Sequence, residues 1–180
     1  PATFEMVTTN CLTGEAMYLV DKQDKQRTLN IVKASSSLPY VSKIVTVDGI
    51  PMLDGGIVDS IPVLRSIEMG HPTNVVVLTR NRGYRNTSKD YKIPRFIYKN
   101  YPRLRVALSR RIAVYNAQLD LIEHLENEGK IVCIRPVHPL EVDRIERDVT
   151  KLEDLYEEGF EQGELFCQQH WIKDNNKSLF

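Results

Sequence analysis

Residues 43–63 read Lys43-Ile44-Val45-Thr46-Val47-Asp48-Gly49-Ile50-Pro51-Met52-Leu53-Asp54-Gly55-Gly56-Ile57-Val58-Asp59-Ser60-Ile61-Pro62-Val63. Asp48-Gly49 joins two apolar runs, Lys43–Val47 and Ile50–Leu53. That pair is a type I′ hairpin signal, because both turn residues need positive φ. The second strand of the hairpin aims at Asp54. Two glycines in succession then allow a backbone that residues with Cβ atoms would resist, and they let another group come close to the carboxylate.

Outward from this stretch, short apolar runs alternate with helical patterns, which predicts an α/β domain with a mostly parallel, two-sided sheet. The strands expected are Phe4–Thr8, Ala16–Val20, Lys43–Val47, Ile50–Leu53, Asn74–Leu78 and Lys130–Arg135. Val75-Val76-Val77-Leu78 and Ile131-Val132-Cys133-Ile134 lack polar alternation, as strands covered on both faces do, and are expected at the sheet centre. A short helix is expected over Thr28–Ser36. A long one carries Leu104, Leu108, Ile112, Tyr115, Leu119, Ile122 and Leu125 every three or four residues until Gly129 stops it. A last helix opens with a Thr150/Glu153 capping box and turns Leu152, Leu155, Tyr156 and Phe160 inward. Asp59 is expected to cap a helix around Ser60–Met69, and the polar tail 173–180 to fray.

The chain has 180 residues, 42% of them hydrophobic, and 24 basic and 24 acidic side chains that cancel. This suits one domain of roughly 100–200 residues. The longest clean apolar run, Val75–Leu78, is far short of the roughly 20 residues a membrane-spanning helix needs. Nine Gly, nine Pro and three Cys exclude collagen-like, low-complexity and disulfide-stapled classes. Cys11, Cys133 and Cys167 have no metal-like spacing and read as buried thiols of a reducing compartment, the cytoplasm. His71, His124, His138 and His170 are scattered, so no zinc site and no other metal or cofactor is expected. Pro1-Ala2-Thr3 before Phe4-Glu5-Met6-Val7 lacks the basic-plus-apolar pattern of a signal peptide and reads as the interior of a longer product.

The zero net charge is an average. Residues 80–111 hold eleven basic side chains and one acid, Asp90, whereas residues 141–164 hold ten acids and three bases. The basic stretch is interleaved with Tyr84, Tyr91, Phe96, Tyr98 and Tyr101, a mixture that could hold a single-stranded nucleic acid or anionic lipid headgroups. Pro94 and Pro102 break it, which disfavours a nucleic-acid recognition helix. Its plain reading is a solvated loop and helix start whose arginines meet the acidic stretch.

The Ala34-Ser35-Ser36-Ser37-Leu38-Pro39 segment, the hairpin, Asp54-Gly55-Gly56, then Val58-Asp59 and Pro62 together resemble the C-terminal half of patatin-like lipid acyl hydrolases, in particular their bacterial predicted-esterase branch. Phe4–Tyr18 with Thr13-Gly14-Glu15, Tyr115-Asn116, Ile134-Arg135-Pro136 and Leu155–Gly159 are similar to the same branch. Ser60 stands where an Asn is frequent. The resemblance implies a three-layer α/β/α fold, here incomplete, with residues 1–172 as the C-terminal part of one domain.

It also implies that Asp54 is the base of a Ser-Asp dyad acting on a lipid or small ester, with Gly55 and Gly56 forming the active-site loop. The Gly-rich oxyanion segment and the Gly-x-Ser-x-Gly elbow belong upstream, and no Gly-x-Ser-x-Gly occurs in this chain. The 180 residues alone are therefore expected to be inactive, and to self-associate if a central strand is missing. Ser35, Ser36 and Ser37 read as small packing residues beside the site. The alternative is a non-catalytic binding module whose basic, aromatic-interleaved surface meets anionic membrane or nucleic acid.

Overall fold

The computed structural model describes residues 2–88, 93, 94, 96–142 and 146–170. Lys89, Asp90, Tyr91, Lys92 and Arg95 of the basic stretch, Asp143 and Arg144 of the acidic one and the polar tail lie outside the described residues. The elements run β1 (Glu5–Asn10), β2 (Ala16–Val20), α1 (Lys25–Ser35), β3 (Val45–Val47), β4 (Ile50–Asp54), a 3-10 turn (Gly55–Ile57), α2 (Val63–Glu68), β5 (Asn74–Val77), α3 (Pro102–Asn127), β6 (Ile131–Ile134) and α4 (Val149–His170). They form two compact units, Pro1–Pro62 with Asn86–Asp120, and Val63–Arg85 with Leu121–Phe180.

The first unit is built on a four-stranded sheet of order β2-β1-β4-β3. Every pairing in it is antiparallel, which corrects the expectation of a mostly parallel sheet. The cause is local: both strand pairs adjacent in sequence close through tight turns, and parallel pairing would require a crossover of a dozen residues or more. In one turn Asp48 and Gly49 take φ of 51° and 78° and Val47 faces Ile50, as the Asp-Gly signal predicts. In the other, the Asn10 side chain accepts from the Leu12 and Thr13 amides, and Gly14 sits at φ 71°.

Side-chain alternation sends β4 to two cores. Met52 joins Met6, Ile31, Ala34 and Val47 beneath α1, while Leu53 joins Cys11, Ile57 and Leu104 beneath α3. Burial on both faces explains why Met52 and Leu53 are both fully enclosed although the sheet is antiparallel. α1 starts earlier than its apolar pattern suggests, because Asp24 caps it by accepting from the Gln26 and Arg27 amides. Arg27 then bridges Asp21 and Asp48, tying the helix start to the hairpin turn; it holds the Asp48 carboxyl below the usual range, while the Gln23 and Asp24 amides, with Arg27 added, bring Asp21 down to about 2.

The second unit pairs β5 and β6 in parallel. Val75 and Val77 are 51% and 72% exposed, so β5 is not covered on both faces as its apolar run suggests. Among the described residues each of these strands has one neighbour; neither is central. α3 ends as expected, at Gly129 with φ 69°, its last carbonyls taken by the Gly129 and Lys130 amides. α4 is capped by Asp148, which accepts from the Thr150 and Lys151 amides, rather than by Thr150. No residue of α4 is buried: Leu152, Tyr156 and Phe160 stay exposed, since a two-stranded sheet is too narrow to cover a 22-residue helix. Arg85 and Arg82 pair with Glu123 and Glu126 on α3. The Arg85 guanidinium pulls the Glu123 carboxyl down to about 2. Among the described residues no helix is long and apolar enough to cross a membrane.

Two predictions follow from this packing. A Cβ on Gly55 would lie 2.4 Å from the Val7 carbonyl oxygen, whereas one on Gly49 would meet nothing within 4 Å. Gly49→Ala should therefore cost about 1–2 kcal/mol for its positive φ alone, and Gly55→Ala clearly more, up to the about 3 kcal/mol of overpacking and beyond; denaturant midpoints showing the reverse order would refute this. Glu123, with its folded pKa depressed, adds stability above its ordinary value of 4.5, lost as pH falls toward about 2. Glu123→Gln should flatten that part of the stability profile, as read by acid titration of the circular dichroism signal.

Candidate active site

Asp54, Gly55 and Gly56 sit where β4 leaves the sheet. Asp54 pairs with Thr8 across β1, donates its amide to the Ser37 carbonyl at 3.0 Å and accepts the Thr9 hydroxyl on its own carbonyl at 2.7 Å. The backbone is thus held from both neighbours, the helix end and β1. The side chain turns forward: Oδ1 accepts from the Gly56 amide at 2.7 Å, capping the 3-10 turn. Oδ2 has no hydrogen-bond partner among the described residues, and the residue is half-buried. A carboxylate fixed through one oxygen, with the other free, can take a proton from a group brought to it.

The loop that follows is tied down from several directions. The Gly56 carbonyl accepts from Ser60 Oγ at 2.9 Å and from Arg111 Nε at 3.0 Å. Asp59 does not cap a helix. Its carboxylate accepts from Tyr18 Oη and Gln118 Nε2, both at 2.6 Å, and α2 begins only at Val63. Gln118 in turn takes the Ser60 and Ile61 amides on Oε1. The Tyr18–Asp59–Gln118 bridge thus links β2, the loop and α3. Sequence reasoning passed over Tyr18, Gln118 and Arg111; the one available signal was a polar Gln on the stripe side of an amphipathic helix.

The serines behave as packing residues. Ser35 Oγ donates to the Val7 carbonyl at 2.7 Å, Ser36 Oγ to Val32 and Ser37 Oγ to Lys33. With their hydroxyl protons committed to main-chain carbonyls, none faces Asp54 as a nucleophile. Gly55 takes its position because Val7 fills the space a side chain would need.

Of the thiols, Cys11 is buried, Cys133 half-buried and Cys167 exposed, so the expectation of three buried thiols holds for Cys11 alone. Cys167 lies on α4, none of whose residues is fully buried. Burial pushes Cys11 and Cys133 up to about 11, which keeps both as unreactive thiols at neutral pH. Among the described residues no group of three His, Cys, Asp or Glu side chains could hold a metal ion.

Comparison with known proteins adds two similarities. A domain of unknown function, DUF6363, matches residues 101–171, the stretch from α3 to the end of α4. An uncharacterized protein of Escherichia coli strain K12, YjjU, is 43% identical over 56 residues, which is 31% of this chain and 16% of that protein. The aligned segment therefore spans about one sixth of that relative.

The bridge is testable by stability. Gln118→Leu removes the acceptor of two loop amides and a donor to Asp59, and should cost about 1–3 kcal/mol, measured by denaturant unfolding; a loss within 0.5 kcal/mol, the about ±0.5 of an ordinary surface change, would show that the bridge is dispensable.

Proposed function

We propose that this chain supplies the general base of a patatin-like lipid acyl hydrolase working by a Ser-Asp dyad, with Asp54 as the base and Gly55-Gly56 as the turn that presents it. The observation that carries the reading is the Asp54 carboxylate, held through Oδ1 by the Gly56 amide and open at Oδ2. The family resemblance of residues 34–63 supplies the rest. The resemblance implies a nucleophile on a Gly-x-Ser-x-Gly segment, which these 180 residues do not contain.

In that mechanism Oδ2 takes the serine proton, and the serine oxygen bonds to the ester carbonyl carbon. The alcohol then leaves with the proton returned by Asp54, giving an acyl-enzyme. Water, deprotonated by the same carboxylate, then bonds to the acyl carbon; the bond from that carbon to the serine oxygen breaks, Asp54 returns the proton to the serine, and the acid is released. A carboxylate is a weak base at neutral pH, so catalysis leans on position and on backbone donors for the oxyanion.

The test is hydrolysis of a short-chain p-nitrophenyl ester by the protein expressed together with its upstream segment. Asp54→Asn should lower kcat by about 10²–10⁴-fold with an unchanged circular dichroism spectrum; undiminished turnover would remove Asp54 from the mechanism. The 180-residue chain alone should show none, and a titratable burst of product from it would move the nucleophile into this sequence.

A further inference from the structure

Beside the Asp54 turn, the first unit contains a cavity of about 330 Å³, at the lower end of the about 300–1,000 Å³ of small-molecule sites. Its floor is apolar: Val58 follows the 3-10 turn, and Val106, Ala107 and Val114 lie on one face of α3. Arg103 and Arg110, on that face, line it too. Gly14 closes a wall, and the approach is tight: a Cβ there would lie 2.7 Å from the Arg103 carbonyl oxygen.

The charges around this cavity do not balance. Arg103 and Arg110 are exposed, and neither has an ion-pair or hydrogen-bond partner among the described residues. No acid lines the cavity, and none lies in the first turn of α3, where the helix dipole is itself positive and an acid would be favoured. The two arginines are seven positions apart, about 10 Å along the helix axis at about 1.5 Å per residue. The apolar floor between them suits a hydrocarbon chain, and either guanidinium suits a carboxylate or phosphate head, which it can hold through two parallel N–H donors. Arg111, by contrast, is engaged with the Gly56 carbonyl.

We propose that this cavity binds a short single-chain anionic amphiphile, with its chain on Val58, Val106, Ala107 and Val114 and its carboxylate or phosphate head on Arg103 or Arg110. The site goes beyond the hydrolase reading and does not need it, since occupancy is read as binding rather than turnover. A failure of Asp54 as base leaves it untouched.

Isothermal titration calorimetry of the 180-residue chain, below the micellar range, tests it with four probes: octanoate, octyl phosphate, octanol and inorganic phosphate. Saturable one-to-one binding of octanoate, of octyl phosphate or of both is expected, weakening as salt rises. The two arms tell a carboxylate source from a phosphate ester. Octanol and inorganic phosphate should each bind at least tenfold more weakly. Arg103→Gln with Arg110→Gln should lower affinity at least tenfold, and Val106→Trp, at a half-exposed position, should block the chain; both variants should keep the wild-type circular dichroism spectrum. Unchanged affinity in the double arginine variant, octanol binding as tightly as octanoate, inorganic phosphate binding as tightly as octyl phosphate, or no saturable binding of either amphiphile would each overturn the proposal.

Discussion

The close approach of Gly55 to the Val7 carbonyl is the constraint on which the first unit depends. β4 must leave the sheet at Asp54 and begin the 3-10 turn at once, and the path it takes runs through space that any Cβ would occupy. Because the chain can pass there, Leu53 and Ile57 both reach the core under α3, and Asp54 can fold its carboxylate onto the Gly56 amide. The same Val7 carbonyl accepts the Ser35 hydroxyl, so the end of α1 and the Asp-Gly-Gly turn are registered against one atom of β1. Small residues at both places are one device: each lets backbone approach backbone where a larger side chain would hold it off.

The two glycines of the turn therefore do different work. Gly55 answers a packing demand, whereas Gly56 supplies the amide that orients the Asp54 side chain and the carbonyl that receives Ser60 and Arg111. A Cβ on Gly56 would sit 3.0 Å from the very Oδ1 it binds, tight but not impossible. The carboxylate is consequently held by groups that do not touch its second oxygen. The Tyr18–Asp59–Gln118 bridge fixes the far end of the loop, so the turn is braced at both ends while the second oxygen keeps no hydrogen-bond partner among the described residues.

What the sequence made legible was local. Asp48-Gly49, Gly129 and the six strand segments read correctly because turn chemistry and apolar runs act within a few residues. Pairing direction was not legible in the same way: a run such as Val75–Leu78 looks identical whether it ends up in the middle of a sheet or with one face open, and only its neighbours decide. Helix starts failed for a related reason. Asp24 caps a first turn of polar residues, so apolar periodicity placed the start of α1 three residues late, and for α4 the Thr150/Glu153 capping-box pattern drew attention from the true cap, Asp148. Asp59 looked like a cap because it precedes a short helix, but its partners Tyr18 and Gln118 lie 41 and 59 residues away, a distance that no local pattern reports.

Charge shows the same limit in another form. Counted along the chain, residues 80–111 are a strongly basic block, yet the fold spends much of that charge internally. Arg80 lies over the Tyr84 ring, Arg82 and Arg85 face Glu126 and Glu123, Arg105 donates to the Ile93 carbonyl and Arg111 to Gly56. Guanidinium groups used in this way position backbone and helix, and in Arg82 and Arg85 the charge is answered by a carboxylate at short range. What remains able to act on a ligand is set by which arginines the fold leaves unanswered, and α3 leaves Arg103 and Arg110 on a single apolar face. Of that basic block, Arg103 and Arg110 are the two charges that line the cavity beside its hydrophobic floor, a pattern that selects for an amphiphile more than for a polyanion.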